Sequence, residues 1–238
     1  MIRPLTAALA AAALALPALV APAAAARNVI DLTVLWTPER AKANGGDRQI
    51  ASNIRISQRI ANEAYAKTFT RSVFSIRRLG RTSYNGAPQN TFNDLKRGAV
   101  RDANVWRDQS GSDIVCLVAS LAGNRIGEAT NSGKNKVMVV ERLKQRTFAH
   151  ELGHLHSCFH GYGSNRSGGD ANGYSFTGKS GVRWATIMSN NGGRQLLQLS
   201  SPGFFHDGVR AGVFGQRDNS KRAASTSRSL SNNRVRRQ

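Results

Sequence analysis

The sequence predicts an α/β fold of the α+β kind, with a mixed and mostly parallel twisted sheet, two long helices in its N-terminal part and a loop-rich C-terminal part. Two observations support this prediction. From Asn28 to Glu141, apolar runs typical of strands alternate with stripes of helical period. After Ser157, glycine, serine and asparagine dominate and no strong period remains, which indicates loops.

The first strand, helix and second strand are expected in direct succession. Residues 28–37 form the apolar run NVIDLTVLWT, and a loop with Pro38 and two glycines should follow it. Residues 48–68 carry an apolar stripe of helical period, and residues 71–79 should form the second strand. The stripe consists of Ile50, Ile54, Ile60, Ala61, Ala64 and Tyr65.

A second helix and two buried strands complete the predicted layer. Residues 91–108 place their apolar side chains on one side of a helix. Residues 112–120 are continuously apolar, as strands covered on both faces are, and residues 136–141 form a further strand. The tail from Lys221 onward is polar and basic, so the sequence allows either a terminal helix or disorder there.

The first 26 residues have the pattern of a secretory signal peptide. Arg3 precedes an alanine-rich apolar segment, which ends in small residues with an A-x-A pattern at 23–25. The alternative is an uncleaved membrane anchor, which fits less well because Pro17 and Pro22 interrupt the run. A cleaved leader implies a secreted or periplasmic protein.

Removal of the leader leaves one predicted domain, residues 27–238, long enough for a hydrophobic core. The change in composition divides it into an N-terminal subdomain (27–157) and a C-terminal subdomain (158–238) with a basic tail. The first strand begins right after the leader, so no propeptide is expected between them. No later segment has the roughly 20 apolar residues of a membrane span, so no membrane association is expected after cleavage.

The formal net charge is +20, which predicts attraction to anionic surfaces, nucleic acids or acidic substrates. The basic residues are scattered from Arg40 to Arg237, and this favours a generally basic surface without one particular partner. Aromatic residues are scarce and do not cluster with lysine or arginine along the chain, so a specific nucleic-acid site is not expected. The protein is expected to be a monomer.

Two cysteines, Cys116 and Cys158, remain in the predicted mature chain. An exported protein meets an oxidising compartment, so they could form one disulfide. Two separate buried thiols are the alternative.

Four of the five histidines lie between His150 and His160. The stretch HELGH within this region is H-E-x-x-H, a zinc signature. Residues four apart share one face of a helix, so His150 and His154 can point at a single ion. Glu151 borders the ion without binding it and can take a proton from water there. The alternative is a helix with histidines on its surface.

A catalytic zinc site usually has three protein ligands. No glutamate follows Glu151, so the candidates for the third ligand are His156, His160, His206, Asp170, Asp207 and Asp218. His156 follows His154 by two residues, about 200° round a helix, and therefore faces away. His160 can reach the ion if the helix ends soon after His154, and the following residues contain no strong helix former. His160 is the favoured ligand, with Asp170 or His156 as alternatives.

The segment HELGHLHSCFH resembles the metzincin motif H-E-x-x-H-x-x-G-x-x-H at His150, Glu151, His154 and His160. Ser157 stands where the motif has glycine. Either the turn adopts another conformation here, or the chain carries strain of about 1 kcal/mol or more, since glycine alone tolerates a positive φ without cost.

A second metzincin feature is a methionine in a tight turn under the metal, and the resemblance assigns it to Met188 in WATIMSNNGG. Some metzincins have a tyrosine two residues after this methionine, where Asn190 stands here. A fifth ligand is therefore not expected. The resemblance thus implies a metzincin-like fold with an active-site helix and a Met-turn.

The order of segments from VIDLTVLWTPERAKANGG to LSSPGFFHDGVRAG is similar to that of bacterial reprolysin-like metallopeptidases, most of all the peptidyl-Asp metalloendopeptidases. That group implies an exported zinc endopeptidase that prefers acidic residues after the scissile bond. A strongly cationic enzyme suits such substrates electrostatically. The candidates for the residue that binds the acidic side chain are Arg125, Arg183 and Arg194.

The predicted function is zinc-assisted hydrolysis of peptides, with Glu151 as general base. An extended substrate would pair with a sheet edge near Gly123–Asn131, although an ordinary surface hairpin explains that segment equally well. One alternative is a non-catalytic zinc-containing cationic protein that binds anionic cell-wall polymer or nucleic acid. Another is a secreted hydrolase of a different bond, such as an amide of the cell wall.

Overall fold

The computed structural model describes residues 27–131, 133–143, 146–161 and 169–234; the predicted leader, 1–26, lies outside them. The helices are α1 (Pro38–Ala43), α2 (Asp47–Ala66), α3 (Thr91–Lys96), α4 (Arg101–Ser110), α5 (Thr147–Leu155) and α6 (Asn219–Ser231). The strands are β1 (Asn28–Trp36), β2 (Ser72–Arg81), β3 (Ile114–Val118), β4 (Gly127–Ala129), β5 (Val137–Val140), β6 (Phe159–Gly161), β7 (Asn172–Gly173), β8 (Ser175–Thr177), β9 (Arg183–Ala185), β10 (Arg194–Gln195), β11 (Ser201–His206) and β12 (Val209–Ala211).

The largest sheet has the strand order β2-β1-β3-β5-β4. Its first four strands are parallel, and β4 alone is antiparallel to its neighbour β5. Every residue of β3 and β5 is buried, as expected for strands with helices on both faces. The prediction of a mixed, mostly parallel sheet is confirmed.

Helix α2 covers one face of this sheet. Its apolar stripe is buried as predicted at Ile50, Ile54, Ala61, Ala64 and Tyr65, whereas Ile60 is only half-buried. The polar residue within the stripe, Ser57, donates a hydrogen bond to the backbone oxygen of Asn53 at 2.9 Å, so its burial leaves no unpaired hydroxyl donor.

Two predicted elements differ from the structure. The expected loop after β1 contains α1, because Thr37 caps its N-terminus and Pro38 fits the first turn, where no backbone donor is needed. The single helix predicted over 91–108 is two helices, α3 and α4. Gly98 separates them with φ 82°, a conformation that ends a helix.

The C-terminal half consists mainly of short strands, and the polar tail forms α6. The side chain of Asp218 caps this helix by accepting from the backbone of Lys221 at 3.0 Å. Helix α6 returns to the N-terminal sheet, where Ser227 contacts Asn28 and Ser72 through hydrogen bonds of 3.0 and 2.9 Å. No helix in the described ranges has the length and apolar character needed to cross a membrane.

Candidate metal centre

Helix α5 holds two of the histidines against the sheet. Its buried residues include Phe148, Ala149, Leu152 and Leu155, and they fix the rotation of the helix. The hydroxyl of Tyr65 on α2 also donates to the backbone oxygen of Ala149 at 3.1 Å. With one face fixed in this way, His150 and His154 project on the opposite side towards solvent.

The helix ends at Leu155 with His156 as its C-cap, and the next residue reverses the chain. Ser157 has φ 59°, and its backbone N–H donates to His154 O at 2.7 Å while that of Cys158 donates to Gly153 O at 2.9 Å. This pair of bonds is the Schellman motif that usually has glycine at the left-handed position. The turn therefore keeps the glycine conformation with a serine in it, and the chain returns to bring His160 over the helix.

The structure brings His150, His154 and His160 together. Their ligand nitrogens all lie within 4.8 Å of one another, and together they could hold a metal ion. The Nε2 atom of His160 is 2.9 Å from Nε2 of His150 and 3.0 Å from Nε2 of His154. Three ring nitrogens thus converge on one point.

Hydrogen bonds to the backbone set the tautomer of two of these rings. Nδ1 of His150 lies 2.8 Å from Ile187 O, and Nδ1 of His154 lies 3.0 Å from Cys158 O. A carbonyl oxygen only accepts, so each Nδ1 carries the proton and each neutral ring has its lone pair on Nε2. Both lone pairs point at His160, which cannot donate to both of them.

The electrostatic environment keeps the rings neutral. Burial, with the neighbouring rings, lowers the pKa of His150 to about 3 and that of His154 to about 4. Burial also lowers the pKa of His160. Neutral imidazole is the form that binds metal, and three such nitrogens around tetrahedral zinc would lie about 3.3 Å apart. The donor set and spacing therefore fit a zinc ion.

Glu151 lies beside the three histidines and is almost completely buried, with 4% of its surface exposed. Its Oε2 has no hydrogen-bond partner among the described residues. Burial raises the pKa of this carboxyl to about 8, and the charge of Glu128 adds to the effect. The backbone of β4 passes close by, since a Cβ on Gly127 would lie 2.3 Å from Oε1. Glycine at 127 therefore leaves space for the carboxylate.

Met188 lies in a turn under the histidines. The backbone of Ser189 donates to Thr186 O at 2.9 Å, and the buried Sδ of Met188 lies so close to α5 that a Cβ on Gly153 would be 2.3 Å from it. The carbonyl of Ile187, which orients His150, belongs to the same turn. The turn and the helix are thus in direct contact beneath the three rings.

The other candidate ligands lie elsewhere. His156 is fully buried, and its ring nitrogens contact Thr226 Oγ1 at 2.9 Å and Ser72 Oγ at 3.4 Å. His206 packs against Trp184, and Asp170 accepts from Lys221 Nζ at 2.9 Å. Asp207 and Asp218 are also outside the cluster. His156 therefore points away from the three other histidines, as its position two residues after His154 predicted.

Both cysteines are buried free thiols in the structure. Cys116 lies in β3, and Cys158 follows the turn after α5 and contacts Asn219 O at 3.4 Å. The sequence allowed either a disulfide or two separate buried thiols, and the structure has two separate buried thiols.

A cleft of about 500 Å³ opens over the three histidines. One wall is the segment around β4, from Asn124 to Asn131, and the other is α5 with His160 and Asn190. Arg125 lines the cleft, whereas the lining residues include neither Arg183 nor Arg194. Arg146 and Thr147 also line it. These two residues directly precede the zinc signature but were not among the site residues predicted from the sequence.

No family model matches the chain. A curated relative, the peptidyl-Asp metalloendopeptidase of Stenotrophomonas maltophilia (strain R551-3), is 25% identical over 208 residues, which are 81% of this chain and 49% of the relative. The chain thus spans about half the length of the relative it matches.

The fold was also compared with solved structures, and two of those that match are given. One, described as a chaperone–substrate complex, has a TM-score of 0.70 and 17% identity over 88% of this chain and 35% of its own. Metalloproteinase-II from Bacteroides fragilis has a TM-score of 0.40 and 12% identity over 58% of this chain and 45% of its own. The first similarity shows a shared fold.

Proposed function

We propose that this protein is a bacterial zinc-dependent endopeptidase of the metzincin type, secreted or periplasmic, that acts as a monomer on protein or peptide substrates. One observation carries the proposal: three Nε2 atoms converge beside a buried carboxylate whose Oε2 has no partner among the described residues. A purely structural zinc site has no need of that carboxylate. The name of the curated relative supports the same activity.

In this proposal His150, His154 and His160 hold the zinc ion, which supplies Lewis-acid polarisation of the scissile carbonyl when bound. Glu151 takes a proton from the attacking water on its free Oε2 and delivers it to the leaving amine. Met188 supports α5 from below, as the Met-turn of a metzincin does. The bonds from Ile187 O and Cys158 O hold two of the rings in the tautomer that binds metal.

The substrate would bind along β4. This strand is the last in its sheet, so one of its edges pairs with β5 and the other borders the cleft. An extended peptide can add to such an edge through backbone hydrogen bonds. The close contact between Gly127 and Glu151 would then place a scissile bond near the carboxylate.

A preference for an acidic residue after the scissile bond is part of the proposal. The net charge of +20 favours acidic substrates in general. Of the three arginines that the sequence suggested for this role, only Arg125 lines the cleft, and it is already paired with Glu128 at 2.6 Å. Another group in the cleft is therefore better suited to a substrate carboxylate.

The second candidate is a non-catalytic zinc-containing cationic protein that binds anionic cell-wall polymer or nucleic acid. One observation favours it: Arg210 packs over the exposed rings of Phe205 and Phe214, at 4.6 and 5.6 Å from their centroids. Aromatic rings next to cations are typical of such surfaces. A hydrolase of another bond, such as a cell-wall amide, would share the zinc centre. Activity on a panel of different substrates would distinguish it from a peptidase.

The test is cleavage of unfolded proteins and a peptide library by the zinc-loaded protein, with a chelator control. Glu151→Gln should keep its zinc but lose about 10²- to 10⁴-fold in kcat/KM, because it removes the proton acceptor. Glu63→Gln, on the solvent-exposed side of α2, serves as the matched control and should retain activity. Unchanged activity of Glu151→Gln, or no cleavage of any substrate, would contradict the proposal.

A further inference from the structure

Arg146 is a cation at the edge of the metal centre. It lies one turn before His150, lines the cleft and is half-buried. Its Nη1 donates to Ile187 O at 3.3 Å and Ser189 O at 3.1 Å, and no carboxylate of the described residues forms an ion pair with it. Burial lowers its pKa. A partly desolvated charge of this kind is stabilised by an incoming anion.

Thr147 supplies a polar group beside Arg146 in the lining of the cleft. Its side chain is 2% exposed and lines the cleft, and its Oγ1 has no hydrogen-bond partner among the described residues. A buried hydroxyl left unpaired costs about 1–3 kcal/mol, and an incoming hydrogen-bond acceptor would remove this cost. The residue lies one helical turn before Glu151 on α5.

The local backbone also favours an anion here. Thr147 is the first residue of the nine-residue helix α5, and no side chain of the described residues caps this N-terminus. The positive end of the helix dipole attracts a negative charge to that end. Arg146, Thr147 and the N-terminus of α5 thus lie next to one another in the wall of the cleft.

We propose that Arg146 and Thr147 form a carboxylate-binding subsite, which takes the side chain of aspartate or glutamate next to the scissile bond. The guanidinium provides the charge, and the Thr147 hydroxyl donates to one carboxylate oxygen. The inference rests on the proposed peptidase function and names the residues that recognise its substrate. It replaces Arg125, Arg183 and Arg194 in this role.

The decisive variant is Thr147→Val, which removes a hydroxyl that has no hydrogen-bond partner among the described residues. The protein should therefore fold with unchanged or slightly raised stability. For two peptides that differ only by aspartate or asparagine after the scissile bond, its preference for aspartate over asparagine in kcat/KM should fall about tenfold. Arg146→Met should abolish the preference.

A binding measurement tests the subsite without turnover. We expect N-acetyl-aspartate amide to bind the zinc-loaded protein at least tenfold more tightly than N-acetyl-asparagine amide in calorimetric titration, with the difference reduced in both variants. A carboxylate bound directly to the metal would leave the difference unchanged in Thr147→Val, and this would overturn the proposal. Loss of the preference in Arg125→Met, but not in Arg146→Met, would overturn it as well.

Thr33→Val is the matched control. Its hydroxyl is also buried, but it is bonded to Ser110 Oγ and Ser112 Oγ at 2.9 and 3.0 Å in the sheet. This variant should lose stability and keep its discrimination between the two ligands. If the protein cleaves neither peptide yet binds the aspartyl ligand through Arg146 and Thr147, the peptidase function fails and the subsite stands. If the protein cleaves both peptides and both variants discriminate between them as the wild type does, the peptidase function stands and the subsite fails.

Discussion

Ser157 carries the strain of the chain reversal on a single residue. Its φ of 59° lies in the left-handed region, where a residue with a Cβ costs about 1–2 kcal/mol. Its hydroxyl donates to Asn131 O at 2.9 Å, which links the turn to the segment after β4. The side chain thus offsets part of the cost of the conformation by tying the turn to the wall of the cleft.

Replacing Ser157 by glycine and by alanine should separate strain from hydrogen bonding. Both variants lose the bond to Asn131, but only glycine relieves the backbone. We expect Ser157→Gly to be more stable than Ser157→Ala by about 1 kcal/mol, as measured by urea unfolding. An alanine variant as stable as the glycine variant would show that the turn is not strained.

At the scale of elements, Asp102 connects the end of β2 to the first turn of α4. Its Oδ2 accepts from Thr82 Oγ1 at 2.7 Å and from the backbone of Ser83 at 2.9 Å. These bonds hold the pKa of Asp102 below its usual value, and the bond from the Ser83 backbone has the largest effect. The carboxylate therefore stabilises the fold in its charged form.

Asp102→Asn should lower the free energy of unfolding by about 1 to 2 kcal/mol at pH 7, because charge-assisted bonds are lost. The folded pKa is depressed, so the stabilisation is present above the unfolded pKa of about 3.9 and disappears as pH falls through the folded value. Urea unfolding from pH 7 to pH 2.5 should show the difference between wild type and variant shrinking below about pH 4.

Asp108→Asn on the same helix is the control for this experiment. Asp108 pairs with Arg234 at the surface, where 54% of its side chain is exposed, and such pairs contribute little. We expect its effect to stay below about 0.5 kcal/mol at every pH. An equal effect of the two substitutions would mean that the link between β2 and α4 contributes nothing specific.

At the scale of the whole molecule, the candidate metal centre joins segments that are distant in the sequence. His150 and His154 come from α5, His160 from β6, and Ile187 from the turn under the helix. Beneath them, His156 connects α5 to α6 through Thr226. An ion bound by the three rings would hold these segments together and add its binding free energy to that of folding.

Removal of zinc should therefore destabilise the whole domain. At a free zinc concentration 1,000 times Kd, binding adds about 4 kcal/mol, so a chelator should lower Tm by roughly 10 °C for a domain of this size. Differential scanning calorimetry would measure the shift. His160→Ala should lose the response and His206→Ala should keep it. A Tm insensitive to chelation would contradict a zinc centre at these residues.

The distribution of aromatic and basic residues shows a limit of the sequence argument. Along the chain they do not cluster, yet the fold brings Arg78 over Trp106, Arg194 over Trp184 and Arg217 over Tyr174 within about 5 Å of each ring centroid. Tertiary contacts join residues that are far apart in the sequence, so the spacing of these residues along the chain does not reveal such pairs. Salt-dependent binding to anionic polymers remains the measurement that separates the two proposed functions.

The sequence by itself determined the order of the main strands and helices, the parallel sheet and the pairing of His150 with His154 on one helix face, because these depend on short periodic patterns. Only the tertiary structure decided that the chain turns at Ser157 to bring His160 to the other two rings. It also decided that Arg146 and Thr147 line the cleft, and that within the described part of the chain Arg146 has no carboxylate partner and the Thr147 hydroxyl has no hydrogen-bond partner. Whether a hydroxyl or a charge has a partner depends on all the elements that pack around it. A local sequence pattern does not contain that information.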